Sequence, residues 1–551
     1  MLSRLWKPVI GTAVFVGTPS YLYFKYASHH QSHIRESFDL PVRVKGLDGK
    51  AQMTTKTLGL LAKEEVDRKL TECAVQASMT RNGVVWRQAT AYVPANDPIE
   101  DANASEVLMR DVVDASGLGD LMFFAVMDGH GGYMTSRLLS KVLIPTVALE
   151  LQRLINHPVE NVQKTGTLSG LKERLWPTAK PASTALVPLD ADPRLLTEAI
   201  QRAFLNLDSE IVDAPLRLLA EEMVKQGEEK QFIPDLSQHH MAQATLNPAM
   251  SGSCALMALF DTAHQNLYVA CTGDSRAVAG VWEESADGTG HWRVDVLSED
   301  QTGRNPNELK RIQSEHPSSE HNTVIMRGRV LGGLEPTRAF GDARYKWSRD
   351  AQAILNHAFM RGSGTSMRSA PALLQTPPYV TALPVVTHRK LSLPTTSNTS
   401  NSKSSLRFII LATDGLWDEL TSEDAVALVG GYLLGLKGVV PKHTLPTLVP
   451  TATSSSSPTI QGKGKSKHPI SQVEGEWTFE DSNVSSHLIR NAFGGGDEDR
   501  VRQLLSIPTG LARSYRDDVT CTVVWWEEGK GSDGDIKVEK VRLVEEVKAK
   551  L

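Results

Sequence analysis

The amino-acid sequence predicts an α+β fold in which helices cover antiparallel sheets, and two observations support this prediction. Short apolar runs, several of them ended by Asp-Gly or Gly-Asp turns, have the character of buried strands and lie at residues 121–127, 255–260, 267–272, 277–282, 408–413 and 519–526. Between the first two runs, apolar residues recur at helical spacing over 195–211, which predicts an amphipathic helix packed on a sheet. Strands joined by close turns, with few long helices, favour antiparallel pairing.

Three polar segments interrupt this pattern at residues 156–193, 394–405 and 441–469. We expect them to be surface insertions, because each is too polar and too broken by proline to build core. The sequence therefore predicts one large domain over residues 41–530, preceded by an N-terminal segment (1–40) and followed by a C-terminal tail (531–551).

Composition excludes some classes of function. The 551 residues are 40% hydrophobic and 22% charged, which is typical of a globular protein. A net charge of −5 and the absence of a long basic run argue against a nucleic-acid partner. The four cysteines form no CxxC pair, which predicts neither disulfides nor structural zinc and fits a reducing compartment: Cys73, Cys254, Cys271 and Cys521.

The two ends of the chain suggest targeting. The first thirty residues contain basic but no acidic side chains, and residues 8–24 are apolar and at the short limit for crossing a bilayer. They are expected to be either a membrane anchor or part of a cleaved signal, and the acid-poor start favours a mitochondrial location, in the matrix or at the inner membrane. The final Ala549-Lys550-Leu551 differs by one residue from a peroxisomal address, so additional peroxisomal targeting is a hypothesis beside an ordinary solvated tail.

Acidic residues stand beside several predicted strands, at Glu100-Asp101, Asp128-Gly129, Asp300, Asp414-Gly415 and Asp517-Asp518. Each alone is consistent with an ordinary turn. Together, Asp128, Asp414 and Asp517 border runs that, as neighbouring strands, would bring their carboxylates to one edge. Oxygen ligands without His or Cys suit Mg²⁺ or Mn²⁺ and disfavour zinc. Two such ions sharing a carboxylate can activate a water for attack on a phosphate ester.

A set of short motifs resembles, in the same order along the chain, those of the metal-dependent (PPM, type 2C) protein phosphatases. The motifs are PANDPIED (94–101), FFAVMDGHGG (123–132), SGSCALMALF (251–260), VACTGDSRAV (269–278), LSEDQ (297–301), RAFGD (338–342), ILATDGLWDEL (410–420) and YRDDVT (515–520). The resemblance implies a four-layer αββα sandwich of two antiparallel sheets flanked by helices. It also implies hydrolysis of phosphoserine or phosphothreonine by metal-activated water.

The resemblance assigns roles to particular residues. Asp128 would bridge two ions, and Asp300, together with Asp414, would hold a third, weaker ion. His130 would be the general acid, although a lone histidine in a turn is often structural. The other expected metal ligands, direct or through water, are Glu100, Asp101, the Gly129 carbonyl, Asp414 and Asp517.

Departures from the family pattern concern the substrate phosphate and the weaker ion. Asn96 stands where many members place the arginine that holds the substrate phosphate, so phosphate binding is expected to depend more on the ions. Gln301 replaces a histidine that often follows the residue at Asp300, which weakens the case for the third site. Three motif arginines are expected to be structural partners of neighbouring carboxylates: Arg276, Arg338 and Arg516.

Longer strings resemble one branch of the family, the mitochondrial pyruvate dehydrogenase phosphatases, which also have Asn at the position of Asn96. These strings are SEHPSSE (314–320), RAFGDARYKWS (338–348), TPPYVTALP (376–384), SSHLIRNAFG (485–494) and LARSYRDDVT (511–520). The resemblance implies that the phosphorylated E1 component of pyruvate dehydrogenase is the substrate. The alternatives are another organellar phosphoprotein, or an anchored scaffold without activity, which the filled carboxylate positions disfavour.

Overall fold

A computed structural model of the chain describes residues 36–45, 50–110, 119–156, 189–226, 232–285, 289–362, 364–393, 404–453, 474–529 and 537–540. The chain divides into two compact units, residues 1–67 with 502–507 and residues 68–501 with 508–551. The predicted domain of residues 41–530 thus spans both units, and its boundaries stay a prediction. The apolar segment 8–24, the tripeptide 549–551 and most of the three predicted insertions lie outside the described residues. Within the described ranges, no helix combines the length and the apolarity needed to cross a membrane.

The helices and strands are numbered in chain order. The helices are α1 Lys63–Thr71, α2 Met134–Asn156, α3 Pro193–Gln226, α4 Ala242–Met250, α5 Pro306–Glu315, α6 Arg349–Phe359, α7 Asp414–Trp417, α8 Ser422–Leu433, α9 Leu445–Leu448, α10 Val484–Phe493 and α11 Glu498–Ser506. The strands are β1 Ser37–Lys45, β2 Ala51–Gly59, β3 Val75–Arg81, β4 Val84–Val93, β5 Ala102–Met109, β6 Asp120–Met127, β7 Gly129–His130, β8 Gly252–Ser253, β9 Ala255–Asp261, β10 Asn266–Thr272, β11 Arg276–Glu284, β12 Gly290–Val296, β13 Ile325–Met326, β14 Arg329–Val330, β15 Phe340–Gly341, β16 Val385–Lys390, β17 Ser404–Ala412, β18 Gly438–Pro441, β19 Thr451–Thr453, β20 Glu476–Phe479, β21 Val519–Glu528 and β22 Lys537–Lys540.

The smaller unit contains an antiparallel hairpin of β1 and β2, paired from Ser37 with Gly59 to Lys45 with Ala51. Most side chains of β2 are exposed, so the hairpin itself buries little apolar surface. Within the same unit, the Arg502 side chain donates a hydrogen bond of 2.9 Å to the Leu61 carbonyl.

The larger unit is built on two sheets. One has five strands in the order β16-β10-β9-β6-β5, and the other has eight in the order β19-β12-β11-β17-β21-β4-β3-β22. Neighbouring strands of the five-stranded sheet are antiparallel throughout. In the eight-stranded sheet, the short β12–β19 pair is parallel and the other pairs are antiparallel. The two edge strands of that sheet are β19 and β22. Strand β19 belongs to the polar segment 441–469, and β22 belongs to the C-terminal tail.

A continuous apolar core lies between the two sheets. Phe260 at its centre is fully buried and packs against Trp86, Phe124 and Trp526, with ring centroids 5.3, 5.8 and 5.5 Å away. A second core joins the opposite face of the five-stranded sheet to α2 and α3. Helices α8 and α10 contact the eight-stranded sheet. The four-layer αββα sandwich is therefore confirmed.

The predicted strands are confirmed with small differences at their ends, and the helix predicted over 195–211 is the first half of the longer α3, Pro193–Gln226. Two local expectations were wrong. Asp414-Gly415 does not form a simple turn, because Asp414 begins the one-turn helix α7. In the segment 441–469, which was expected to build no core, Leu445 and Val449 are buried and β19 pairs with β12. A few apolar residues within this polar segment are buried, and they accompany its pairing with the edge of the sheet.

Candidate active site

Carboxylates from the ends of both sheets converge at one place. Asp128 follows β6 and Asp274 follows β10, two strands of the five-stranded sheet, whereas Asp414 follows β17 of the eight-stranded sheet. One carboxylate oxygen from each of these three residues lies within 4.8 Å of the others. The expectation that Asp128 and Asp414 border neighbouring strands was therefore wrong, because two stacked sheets bring them together.

The electrostatics of this cluster favour a bound cation. Burial, and then the charges of Asp414 and Asp101, raise the pKa of Asp128 well above its ordinary value. The pKa of Asp101 is also raised, first by burial and then by the charge of Asp518. Carboxylates held this close repel one another unless a positive charge lies between them. Because the donors are oxygens, the cluster fits hard divalent cations such as Mg²⁺ and Mn²⁺.

His130 is held in an ion pair with Asp342, at the end of a three-stranded ribbon formed by β7, β8 and β15. Its Nε2 lies 2.6 Å from Asp342 Oδ2. Burial lowers the pKa of His130, but the nearby carboxylates outweigh this, Asp342 foremost through its charge and hydrogen bond, so the pKa is raised. Gly252 makes the close approach of the ribbon strands sterically feasible, because an added Cβ there would overlap both His130 Nε2 and Asp342 Oδ2.

Asp518 organises the loop that carries Glu100 and Asn96. Its Oδ1 accepts backbone hydrogen bonds from Ala95 and Asn96, at 2.5 and 2.9 Å. Its Oδ2 accepts from the Asn96 amide and from the Glu100 backbone, both at 2.9 Å. The Asn96 side chain, expected at the substrate phosphate, is therefore engaged with Asp518.

Glu100 and Gly129 lie in contact at the edge of the cluster. Glu100 Oε1 accepts a hydrogen bond of 2.7 Å from the Gly132 backbone, and burial raises its pKa. Only glycine fits at position 129, because an added Cβ would overlap the Glu100 carbonyl oxygen. Asp101 is tied to the start of α7 through a 2.9 Å hydrogen bond from the Thr413 hydroxyl.

The remaining acidic candidates differ in their surroundings. Asp517 lines the same cavity as Asp128 and forms an ion pair with Arg513. Asp300 is instead buried in a two-pronged ion pair with Arg276, at 2.9 and 2.6 Å, and its role at a third ion stays a prediction. Gln301 has a structural role, because its Oε1 accepts a 2.7 Å hydrogen bond from the Gly273 backbone beside Asp274.

The other two motif arginines are also held in structural contacts. Arg338 pairs with Glu308, with a shortest distance of 2.7 Å, as expected. Arg516 differs from the expectation, because its guanidinium donates to backbone carbonyls, including that of Pro94 at 2.6 Å. Burial lowers the pKa of Arg516 to about 10. All four cysteines are free, and Cys254, Cys271 and Cys521 are buried, as expected of small apolar side chains.

The carboxylate cluster and the His130–Asp342 pair line one cavity of about 490 Å³. Two residues important to this site, Asp274 and Asp342, were not singled out from the sequence, and Asp518 was named there without a role. Asp274 had a visible signal, since its Gly-Asp turn ends an apolar run as Asp128 and Asp414 do. Asp342 was within a recognised motif, but nothing local to it revealed its partner.

A carboxylate cluster beside a histidine–aspartate pair, at the end of two stacked antiparallel sheets, defines a metal-dependent hydrolase. A protein-family model described as Protein phosphatase 2C matches residues 205–431. The mitochondrial pyruvate dehydrogenase (acetyl-transferring) phosphatase 1 of Saccharomyces cerevisiae is 33% identical over 480 residues, covering 85% of this chain and 73% of that protein. The human protein of the same description is 33% identical over 471 residues, covering 78% and 76%.

A protein phosphatase 2C homologue of Schizosaccharomyces pombe is 34% identical over 463 residues, covering 84% of this chain and 85% of that protein. The chain belongs to the protein phosphatase 2C family. It is a metal-dependent protein serine/threonine phosphatase.

We expect Asp518→Ala to lower the free energy of unfolding by about 3 kcal/mol or more, because several donors in a part-buried loop lose a charged acceptor. Urea denaturation monitored by tryptophan fluorescence measures this change. Asp350→Ala, at an exposed position, is the control and should change the value little. A loss no larger than that of the control would show that Asp518 does not hold the loop.

Proposed function

We propose that this phosphatase hydrolyses phosphoserine and phosphothreonine in the phosphorylated E1 component of pyruvate dehydrogenase, with His130 as the general acid. The observation that carries the chemistry is the convergence of the Asp128, Asp274 and Asp414 carboxylates in the cavity that His130 also lines. The names of the mitochondrial relatives, each matched over more than two thirds of its length, support the substrate.

We propose that the site binds two Mg²⁺ or Mn²⁺ ions, which Asp128 would help to hold. Asp414 and Asp274 would hold the ions together with Asp128, because one carboxylate oxygen of each lies within 4.8 Å of the others. Further ligands, direct or through water, would be Asp517, Glu100, Asp101 and the Gly129 carbonyl. When bound, the ions neutralise these carboxylates and supply an activated water for attack on phosphorus. A third, weaker ion at Asp300 would compete with the guanidinium of Arg276 for that carboxylate.

The protein's own contribution to bond cleavage is a proton that His130 donates to the leaving oxygen of the substrate. A serine alkoxide is a poor leaving group, so a donated proton typically accelerates its departure by about 10²- to 10⁴-fold. Asp342 accepts from Nε2 of the protonated His130 ring, which leaves the proton on Nδ1 for transfer. By raising the pKa of His130, Asp342 keeps the ring protonated to higher pH.

For the substrate phosphate, Arg513 is a better candidate than Asn96. Its guanidinium pairs with Asp517 at the cavity and its side chain remains 47% exposed, whereas the Asn96 amide is bound to Asp518. Asn96 then acts indirectly, by fixing the Glu100 loop. A rise in KM for p-nitrophenyl phosphate in Arg513→Ala but not in Asn96→Ala supports this assignment, and the reverse pattern contradicts it.

The proposed substrate requires a mitochondrial location, and the mitochondrial relatives support it. The basic, acid-poor segment 1–40 is the proposed targeting signal, and whether residues 8–24 also anchor the protein is a separate proposal. Extraction of the isolated organelle with alkaline carbonate tests the anchor, because a released protein is not membrane-embedded. A fluorescent reporter fused after residue 40 tests whether residues 1–40 direct a protein to mitochondria. A reporter ending in residues 540–551 tests the peroxisomal hypothesis.

We expect Asp128→Asn and Asp414→Asn each to abolish Mn²⁺-dependent phosphate release from a phosphothreonine peptide. His130→Ala should lower kcat on this peptide by about 10²- to 10⁴-fold. It should lower kcat much less on p-nitrophenyl phosphate, because nitrophenolate departs without a proton. Steady-state phosphate release measures both effects. Activity that survives both aspartate substitutions would remove the mechanism, and equal losses on the two substrates would remove His130 as the acid.

The substrate assignment is tested with a panel of phosphorylated mitochondrial proteins. We expect phosphorylated E1 to give the highest kcat/KM, because the relatives that share most of this chain carry that activity in their names. The panel is assayed with purified protein in Mn²⁺ or Mg²⁺, with the Asp128→Asn variant as the blank. Preference for another phosphoprotein would favour the alternative substrate, and no release from any member would favour the inactive scaffold.

A further inference from the structure

One wall of the catalytic cavity carries two arginines that the proposed chemistry does not use. Arg344 stands two residues after Asp342, and Arg368 belongs to the segment that follows α6. The Arg344 side chain donates from Nε to the Ser369 carbonyl, which ties the two segments together. Both guanidinium groups therefore border the same space as the carboxylate cluster.

Arg368 has the features of a side chain available to a ligand. It is exposed, and among the residues that the structure describes none forms a hydrogen bond or an ion pair with it. Arg344 is half-buried, and burial, together with the nearby positive charge of Arg368, lowers its pKa. Two guanidinium groups this close repel each other, and an anion placed between them would relieve that repulsion.

The same cavity has an apolar lining beside the arginines, formed by Leu246, Met250, Met360 and Met367. Met side chains adapt to ligands of different shape. The segment is anchored where Met367 donates its backbone N–H to Asn356 Oδ1, at 2.7 Å. A cavity of about 490 Å³ matches the size that holds a drug-sized ligand, so it has room for residues beside the phosphorylated one.

The charge balance of the cavity also favours an anionic peptide. Six carboxylates and four guanidinium groups line it. Two divalent cations bound to the carboxylate cluster, as proposed above, would neutralise the carboxylates nearest to them, whereas Arg344 and Arg368 form no ion pair with a carboxylate of the described residues. The positive charge of Arg344 and Arg368 is therefore available to a second anionic group in the same cavity.

We propose that Arg344 and Arg368 bind an acidic side chain close to the phosphorylated residue of the substrate. The enzyme then prefers phosphopeptides in which Asp or Glu, accompanied by an apolar residue, flanks the phosphoserine or phosphothreonine. This inference rests on the proposed function and adds to it the class of sequence that the site accepts. The competing occupant of the two arginines is the reacting phosphate itself.

The test compares two phosphothreonine peptides that differ only in carrying Asp or Asn beside the phosphorylated residue, with p-nitrophenyl phosphate as a third substrate. The full-length enzyme is assayed in Mn²⁺. We expect wild type to prefer the Asp peptide, and Arg368→Gln to lower its kcat/KM by about fivefold, the equivalent of one partly exposed ion pair. The Asn peptide and p-nitrophenyl phosphate should be hydrolysed at unchanged rates.

Two further variants sharpen the result. Arg368→Glu should invert the preference, so that a peptide with Lys at the varied position becomes the better substrate. Arg361→Gln removes another exposed arginine from the same segment, outside the cavity lining, and should change no rate.

The failures are distinguishable. Equal losses of Arg368→Gln on the Asp and Asn peptides, or no loss on either, would overturn the inference. An equal loss on p-nitrophenyl phosphate would also overturn it, by assigning the arginines to the reacting phosphate. If wild type released phosphate from none of the substrates, the proposed function itself would fail.

Discussion

The repulsion between acidic side chains at the joined ends of two sheets is the constraint on which the rest of this structure depends. Asp128, Asp274 and Asp414 stand with carboxylate oxygens within 4.8 Å of each other, and burial raises the pKa of Asp128 well above its ordinary value. Such an arrangement is costly for folding by itself and becomes favourable only with a divalent cation. The cluster therefore lowers the stability of the metal-free protein, and the same arrangement of carboxylates favours metal binding.

The surrounding structure holds this unfavourable arrangement in place. The apolar core between the sheets fixes the relative position of the strand ends, with Phe260 in contact with aromatic side chains from both sheets. Asp518 fixes the loop of Glu100 by accepting several hydrogen bonds, and Gly252 and Gly129 permit approaches that any side chain would block. The result is a site built on strand ends and close turns, which preorganises its ligands.

The sequence predicted the strands well, because fully buried strands such as 121–127 and 519–526 are short apolar runs bounded by turn residues. Periodicity carries no information on which strands pair, so Asp128 and Asp414 were placed on one sheet edge although they come from two sheets. Asp342 was missed for the same reason, since it meets His130 only through the ribbon of β7, β8 and β15. Recognised motifs supplied the proposed ligands, and the three-dimensional contacts added Asp274 to them.

Metal-dependent stability of the Asp128→Asn variant tests the central claim most directly. Thermal unfolding is measured for wild type and variant, each with and without Mn²⁺. Without metal, the variant should unfold at a higher temperature than wild type, because one repelling charge is gone. Mn²⁺ should raise the unfolding temperature of wild type, by binding the folded state, and leave the variant almost unchanged. A variant that is less stable without metal and still gains the full Mn²⁺ stabilisation would contradict the account.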